Sequence, residues 1–389
     1  MAFSISFASF LKEKKRVYEG SALIVVRKKS FLRCPLIFAD IRCKIDNQMI
    51  LDINEKHNDH IIQAAQEIKS GGLVAMPTET VYGLAASALD EAAVAGIFAL
   101  KGRPQDNPLI VHVDSVPMAR EIAAFDEKAE RLAAAFWPGP LTMVLKSRGV
   151  VPTGVTAGLD TVGVRMPDCD AALALISAAG VPLAAPSANK SGSPSPTTAA
   201  HVSNDFGDGL LILDAGECGI GVESTVVDMT REIPVILRPG AVTQEMLAEE
   251  IGPVDVAQAF APMEEGQPAA PGMKYRHYAP AARMTVVEGE TVSVAEAIKY
   301  LYDKDLKKGE KPLVMAAREN KRYYGRRDLA VTGSAEDARE AAKKLYMLLR
   351  EADEQGFTSI LFEAVPKTGI GFAVMNRVYK AAAYNIVRV

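Results

Sequence analysis

Beyond about residue 57 the apolar positions alternate between helical and extended periods. Ile61, Ile62, Ala65 and Ile68 recur at helical spacing, Asn58 or Asp59 offers a cap, and Gly71-Gly72 supplies a stop. LVAM then reads as a short buried strand. DEAAVAGIFALKGRP reads as a helix opened by Asp90 and halted before Pro104. LIVHV is a strand, DEKAERLAAAFWPGP a helix closed by Pro-Gly-Pro, and LTMVLKS a strand. TVGVRMP, VPLAAPS, LLILDAG, STVVDM and VILRPG follow as strands, with helices near 168–179 and 197–205. Strands outnumber helices, which predicts an α/β domain on a twisted mixed sheet over residues 55–245.

Residues 251–283 hold five prolines and no periodic run, so 246–283 is predicted to be a linker. The pattern then restarts. MTVVEG, PLVMAA, LAVTG and SILFEA alternate with helical stretches at 293–304, 335–354 and 371–385. Strict alternation predicts a smaller Rossmann-like domain with a mostly parallel sheet over 284–389.

The first 48 residues break the pattern. MAFSISFASFLKEKKR places apolar residues before its lysines, the reverse of a secretory signal. They carry 10 Lys/Arg against 4 Asp/Glu, whereas the remaining 341 residues carry 34 against 44, a net of −10. The leading expectation is a disordered extension outside the fold, ahead of the internal Met49. A basic organelle leader and an extra strand pair remain as alternatives.

Composition narrows the function class. At 49% hydrophobic and 24% charged, the 389 residues describe an ordinary globular protein of two or three domains. No apolar run approaches the roughly 18 residues of a membrane span. Cys34, Cys43, Cys169 and Cys218 form no C-x-x-C pair, which predicts a reduced cytoplasmic protein. There is no Walker phosphate loop, no G-x-G-x-x-G after a strand and no G-x-S-x-G elbow. GIGFAV at 369–374 lacks the third glycine of a dinucleotide fingerprint.

Four polar stretches carry the candidate chemistry: PTETVYGLAA (77–86), KGRPQDNPLIVHV (101–113), PSANKSGSPSPT (186–197) and PGMKYRHYAP (271–280). Each has an ordinary reading: turn-forming threonines, cations at a helix C-terminus, a flexible loop with a cap at Ser195, and a charged linker. His112 alone in an apolar run is most often a packed core histidine. Together they suggest an anion site. Arg103 offers a planar fork and Lys101 a point charge, two residues apart around Gly102 and able to converge on one polyphosphate. Ser187, Asn189 and Ser195 are neutral donors. Arg165, on a strand predicted to be buried, requires an anionic partner, and a substrate carboxylate would serve.

PTETVYGL, KGRPQDNPLIVHV, TVGVRMP, PSANKSG, ESTVVD and LRPG resemble the YrdC-like domain of the L-threonylcarbamoyladenylate synthases. PGMKYRHYAP and GIGFAVMNRVYKAA resemble the linker and C-terminal domain of that family's long, two-domain form. The resemblance covers about 57–389. It implies a nucleotidyltransferase that makes threonylcarbamoyl-AMP and pyrophosphate from L-threonine, bicarbonate or CO2, and ATP, for threonylcarbamoyl-adenosine modification of tRNA. It implies threonine contacts at Thr80, His112, Arg165, Ala185 and Ser224. It implies ATP contacts at Arg103, Asn107, Thr161, Ser187, Asn189, Ser195, Arg238 and Tyr278, with Lys101 and Arg103 catalytic. Mg2+ is expected to travel on the ATP phosphates rather than in a protein-built site. The product would pass to the tRNA threonylcarbamoyl-transfer machinery, with weak tRNA binding at most. The KYRHYAP segment is expected to close over the ligands as a lid. A non-catalytic RNA-binding module is the rival reading, and the −10 net charge beyond residue 48 weighs against it. Hydrogenase-maturation relatives of the domain are excluded by the scattered cysteines.

Overall fold

The computed structural model describes residues 50–257, 260 and 278–389. The expectation for residues 1–48, and the lid reading of 271–277, fall outside the described residues.

Eleven strands make the first sheet: β1 (Ile50–Asp52), β2 (Val74–Met76), β3 (Gly83–Ser87), β4 (Ile110–His112), β5 (Leu141–Lys146), β6 (Thr161–Arg165), β7 (Leu183–Ala184), β8 (Leu211–Asp214), β9 (Thr225–Asp228), β10 (Val235–Arg238) and β11 (Asp255–Val256). Their order is β1-β8-β2-β3-β7-β4-β6-β5-β9-β10-β11. Parallel pairs such as β4 with β6 sit beside antiparallel ones such as β3 with β7, so the sheet is mixed. Helices Ile53–Lys69, Glu91–Lys101, Glu127–Phe136 and Asp170–Ala179 contribute to its layers. Asp90 caps the second of these through Ala92 and Ala93, and Gly102 closes it in the left-handed region at φ 60°.

Four elements were not legible. β3 lies inside the polar PTETVYGLAA stretch, where the tyrosine and glycine obscure a five-residue, fully buried strand. Val116–Ile122 is helical, with Ser115 as cap. Helix Gln244–Ile251 and strand β11, paired with β10, carry the first domain to residue 256, past the expected boundary at 245.

The second sheet holds β12 (Arg283–Glu288), β13 (Pro312–Ala317), β14 (Leu329–Gly333), β15 (Ser359–Glu363) and β16 (Ile386–Arg388), in the order β14-β13-β15-β12-β16. All its pairings are parallel, as strict alternation demands. Helices Thr291–Lys307, Ala338–Glu354 and Ile370–Ala381 connect its strands.

The two domains share a core. Val81 and Val222 of the first pack in one cluster with Leu345, Tyr346 and Val378 of the second. Gly221, at φ +84°, lets the chains touch: a Cβ there would lie 2.5 Å from the Lys343 Cα and 2.6 Å from the Ala342 carbonyl. Among the described residues no helix is long and apolar enough to cross a membrane.

Candidate active site

Backbone bonds lace the polar stretches together. The Tyr82 N–H donates to the Pro196 carbonyl, Leu84 to Pro186, Ala188 to Tyr82, and Gly221 to Thr80. The chain from 80 to 84 is thereby fixed against the 186–197 loop and the turn at Gly221. The result is an open cleft lined by Thr78, Gly83, Arg103, Ile110, His112, Arg165, Ala185, Ser187, Asn189, Ser193, Ser195, Glu223, Arg238 and Tyr278 among others.

His112 and Arg165 are register partners on parallel β4 and β6, so their side chains leave the same face of the sheet at one level. Both are buried. Burial first, and the Arg165 charge second, push the imidazole down to about 3, so His112 is neutral near pH 7. Its Nδ1 has no hydrogen-bond partner. Arg165 donates from Nη2 to Thr80 Oγ1 at 2.9 Å. The anionic partner demanded by a buried arginine is Glu79, 2.7 Å away. The Glu79 oxygens make no hydrogen bond, so this is a charge contact lying off the N–H direction. Sequence reasoning missed Glu79: within PTET it gives no signal apart from its charge.

Four expected contacts sit behind the cleft rather than on it. Thr80 is fully buried and positions Arg165. Ser224 lies beneath Arg238, accepting from its Nη2 at 3.1 Å and bonded to Thr142 at 2.8 Å. Thr161 lines a second, small and mostly apolar pocket that meets the first at Ile110. Asn107 is buried with neither end of its amide hydrogen-bonded. An orphaned buried amide costs about 1–3 kcal/mol, so this one is held at a cost in stability directly behind the cleft wall.

Lys101 departs most from expectation. It does not converge with Arg103. Its ammonium is buried and donates to the backbone carbonyls of Ser187 and Asn189. Burial, then the neighbouring Arg103 charge, lowers its pKa well below the usual lysine value. The reason is geometric: Lys101 closes the last turn of its helix, whereas Arg103 lies beyond the left-handed Gly102 and turns to the cleft. Arg103 is braced by donating to the Asn107 and Pro108 carbonyls at 3.3 and 3.2 Å.

The expected neutral donors are also re-assigned. Ser187 gives its hydroxyl hydrogen to Asn189 Oδ1, and Asn189 Nδ2 donates to the Lys190 and Ser193 carbonyls. Ser195 gives its hydrogen to Glu223 Oε1 at 2.6 Å and caps no helix; Thr198 does that. The two hydroxyls therefore offer lone pairs to a ligand. Glu223 and Thr78, which line the cleft, were not singled out from the sequence. Glu223 could have been, as the carboxylate that opens the ESTVVD stretch just before β9.

Comparison with known proteins agrees with this arrangement. A family model described as "Telomere recombination" matches residues 66–240. A model described as "Threonylcarbamoyl-AMP synthase, C-terminal domain" matches 242–383. The chain is 46% identical over 344 residues to the threonylcarbamoyl-AMP synthase of Pyrococcus abyssi, spanning 88% of this chain and 99% of that one. It is 42% identical over 343 residues to the Bacillus subtilis protein of the same name, spanning 87% and 97%. The crystal structure of P. abyssi Sua5 complexed with L-threonine superposes with a TM-score of 0.80 at 47% identity, covering 85% of this chain and 96% of that one. With relatives this similar along almost their whole length, the chain belongs to the threonylcarbamoyl-AMP synthase family.

Proposed function

We propose that the protein condenses L-threonine, bicarbonate or CO2, and ATP into threonylcarbamoyl-AMP and pyrophosphate, the first step of threonylcarbamoyl-adenosine modification of tRNA. The supporting observation is one cleft that brings a buried His112–Arg165 pair together with Arg103, Arg238 and a row of acceptor hydroxyls. In this reading the threonine carboxylate approaches Arg165, beside Glu79, while neutral His112 hydrogen-bonds the substrate. The free amine adds to CO2, forming an N–C bond and releasing a proton. A carbamate oxygen then attacks the α-phosphorus, the bond to the bridging oxygen breaks, and pyrophosphate leaves. The reaction is thus a nucleotidyl transfer without a covalent enzyme intermediate.

Such a site must align two anions and stabilise charge as it shifts to the leaving group. Arg103 and Arg238 are the cations placed for this. Asn107, next to the two carbonyls that brace Arg103, brings an orphaned amide to the same side of the site. Glu223, the carboxylate lining the cleft, is already engaged by Arg377, Tyr346 and Ser195. That donor set suits Mg2+ arriving on the ATP phosphates. The reading carries with it the cytoplasmic placement expected from cysteine usage, and transfer of the product to the tRNA-modifying machinery.

The test is direct. Pyrophosphate release should require both L-threonine and bicarbonate, and mass spectrometry should find threonylcarbamoyl-AMP. ATP turnover indifferent to threonine, or yielding ADP, overturns the assignment.

A further inference from the structure

We propose that Arg377 and Tyr346, both from the second domain, are positioning residues for the nucleotide side of the cleft, acting through Glu223. The inference rests on the reading of that side as the ATP site.

The carboxylate of Glu223 lines the cleft yet is held from behind. Arg377 Nε donates to its Oε2 at 2.8 Å. The Tyr346 hydroxyl lies 3.0 and 2.9 Å from its two oxygens. Arg377 and Tyr346 are each fully buried, on helices Ile370–Ala381 and Ala338–Glu354. Arg377 also donates to the Pro239 carbonyl at 2.7 Å and the Glu223 carbonyl at 3.3 Å. One guanidinium therefore ties the entry to β9 to the exit of β10, and Arg238 precedes Pro239 directly. Its charge sits 5.7 Å from the Tyr278 ring, which lies 5.4 Å from that of Tyr346.

The consequence is a fixed polarity at the ligand. Burial by itself would raise the Glu223 carboxyl; Arg377, then Arg238, then the bond from Ser195 hold it at about 2. An ionised carboxylate accepts only, so the Ser195 hydrogen is committed to it and Ser195 meets the nucleotide as an acceptor. Such an acceptor suits a sugar hydroxyl or an exocyclic amine and repels a phosphate oxygen. A buried ion pair is weak evidence for stability by itself, since apolar substitutes are often as stable. Here the pair faces a cleft and fixes a hydrogen bond at its wall. The groups facing Glu223 are Arg377 and Lys380 from one helix, Tyr346 from another, Arg238 from β10, Ser195 and Tyr278.

The experiment measures KM for ATP and for L-threonine, with kcat, from pH 6 to 8.5. Tyr346→Phe, which keeps the ring, should raise KM for ATP roughly three- to tenfold, with kcat and the threonine KM within about twofold, as loss of one hydrogen bond of ordinary strength, felt by the ligand through Ser195, predicts. In Arg377→Met the ratio of its ATP KM to that of the wild type should grow at least about fivefold between pH 8 and pH 6, as the unpaired carboxyl takes up a proton. Adding Glu223→Gln to Arg377→Met should flatten that ratio. An unchanged ATP KM in Tyr346→Phe, or a threonine KM rising in parallel with it, overturns the inference. So does a pH-independent ratio in a folded Arg377→Met. If Arg377→Met does not fold, Tyr346→Phe decides alone. ATP affinity measured by calorimetry gives the same comparison without turnover. Absent turnover in the wild type would therefore overturn the reaction assignment and leave this test standing.

Discussion

At the scale of single residues, Arg103 and Lys101 show how a two-residue spacing divides two roles. Arg103 faces the cleft with a planar fork, so Arg103→Ala should lose a phosphate contact made in the transition state. By analogy with oxyanion donors that is about 3–4 kcal/mol, or a kcat/KM loss of about 10²–10³. Arg103→Lys should recover part of it, since charge survives and the bidentate geometry does not; pyrophosphate-release kinetics read both. Lys101→Met should act differently. It leaves the Ser187 and Asn189 carbonyls without their donor, at a cost of about 1–3 kcal/mol in a urea denaturation, with a raised KM for ATP through a loosened loop. His112 gives a prediction with a sign. Its folded pKa of about 3 lies below the ordinary 6.5, so the unfolded chain binds more protons between those values. Stability contributed by the neutral imidazole is therefore full above about pH 6.5 and declines as pH falls through that window. Between pH 7 and pH 5 the wild type should lose on the order of 2 kcal/mol relative to His112→Gln, measured as the difference in unfolding free energy.

At the scale of elements, what could be read from the sequence was what local periodicity encodes. The strands LVAM, LIVHV, TVGVRMP and VILRPG all form, because each is a short apolar run bounded by turn residues. β3 stayed hidden because its burial depends on β7, distant in sequence, as well as on the adjacent β2, and not on its own pattern. The site shows the same division. All four of Arg103, His112, Arg165 and Arg238 line the cleft; Arg103 and Arg165 were singled out by residue type, His112 and Arg238 only through the family resemblance. Glu79 and Glu223 were not, because a carboxylate gains its role only from an arginine 86 or 154 positions away, a pairing that no window of sequence displays. The domain interface was equally invisible, and Gly221 is its most sensitive point. Gly221→Ala forces a Cβ against backbone of the second domain at a positive φ. It should destabilise by about 2 kcal/mol or more. The loss should appear as faster amide exchange at residues 341–346 and 79–81, where the two domains meet; unchanged exchange there would contradict the docking described.

At the scale of the molecule, a mixed sheet and a parallel sheet, each of a size to fold separately, share one apolar cluster and several buried polar ties. Linked domains whose interface is small and polar unfold in separate steps. Here Val81 and Val222 belong to the second domain's core, and Arg377 and Arg350 reach back to Glu223 and to Asp205 with the Pro194 carbonyl. Removing the second domain's grip would leave Glu223 buried without its closest cation, which is the costly way to break such a pair. Calorimetry should therefore show one cooperative transition, with van't Hoff and calorimetric enthalpies equal. ATP and L-threonine together should move that whole transition upward, since they bind only the assembled cleft. In Arg377→Met the transition should broaden or split, with the ligands shifting only the step that contains the cleft. Two well-separated transitions in the wild type would show that the shared cluster does not couple the domains, and the second domain's hold on Glu223 would then be too weak to order the site.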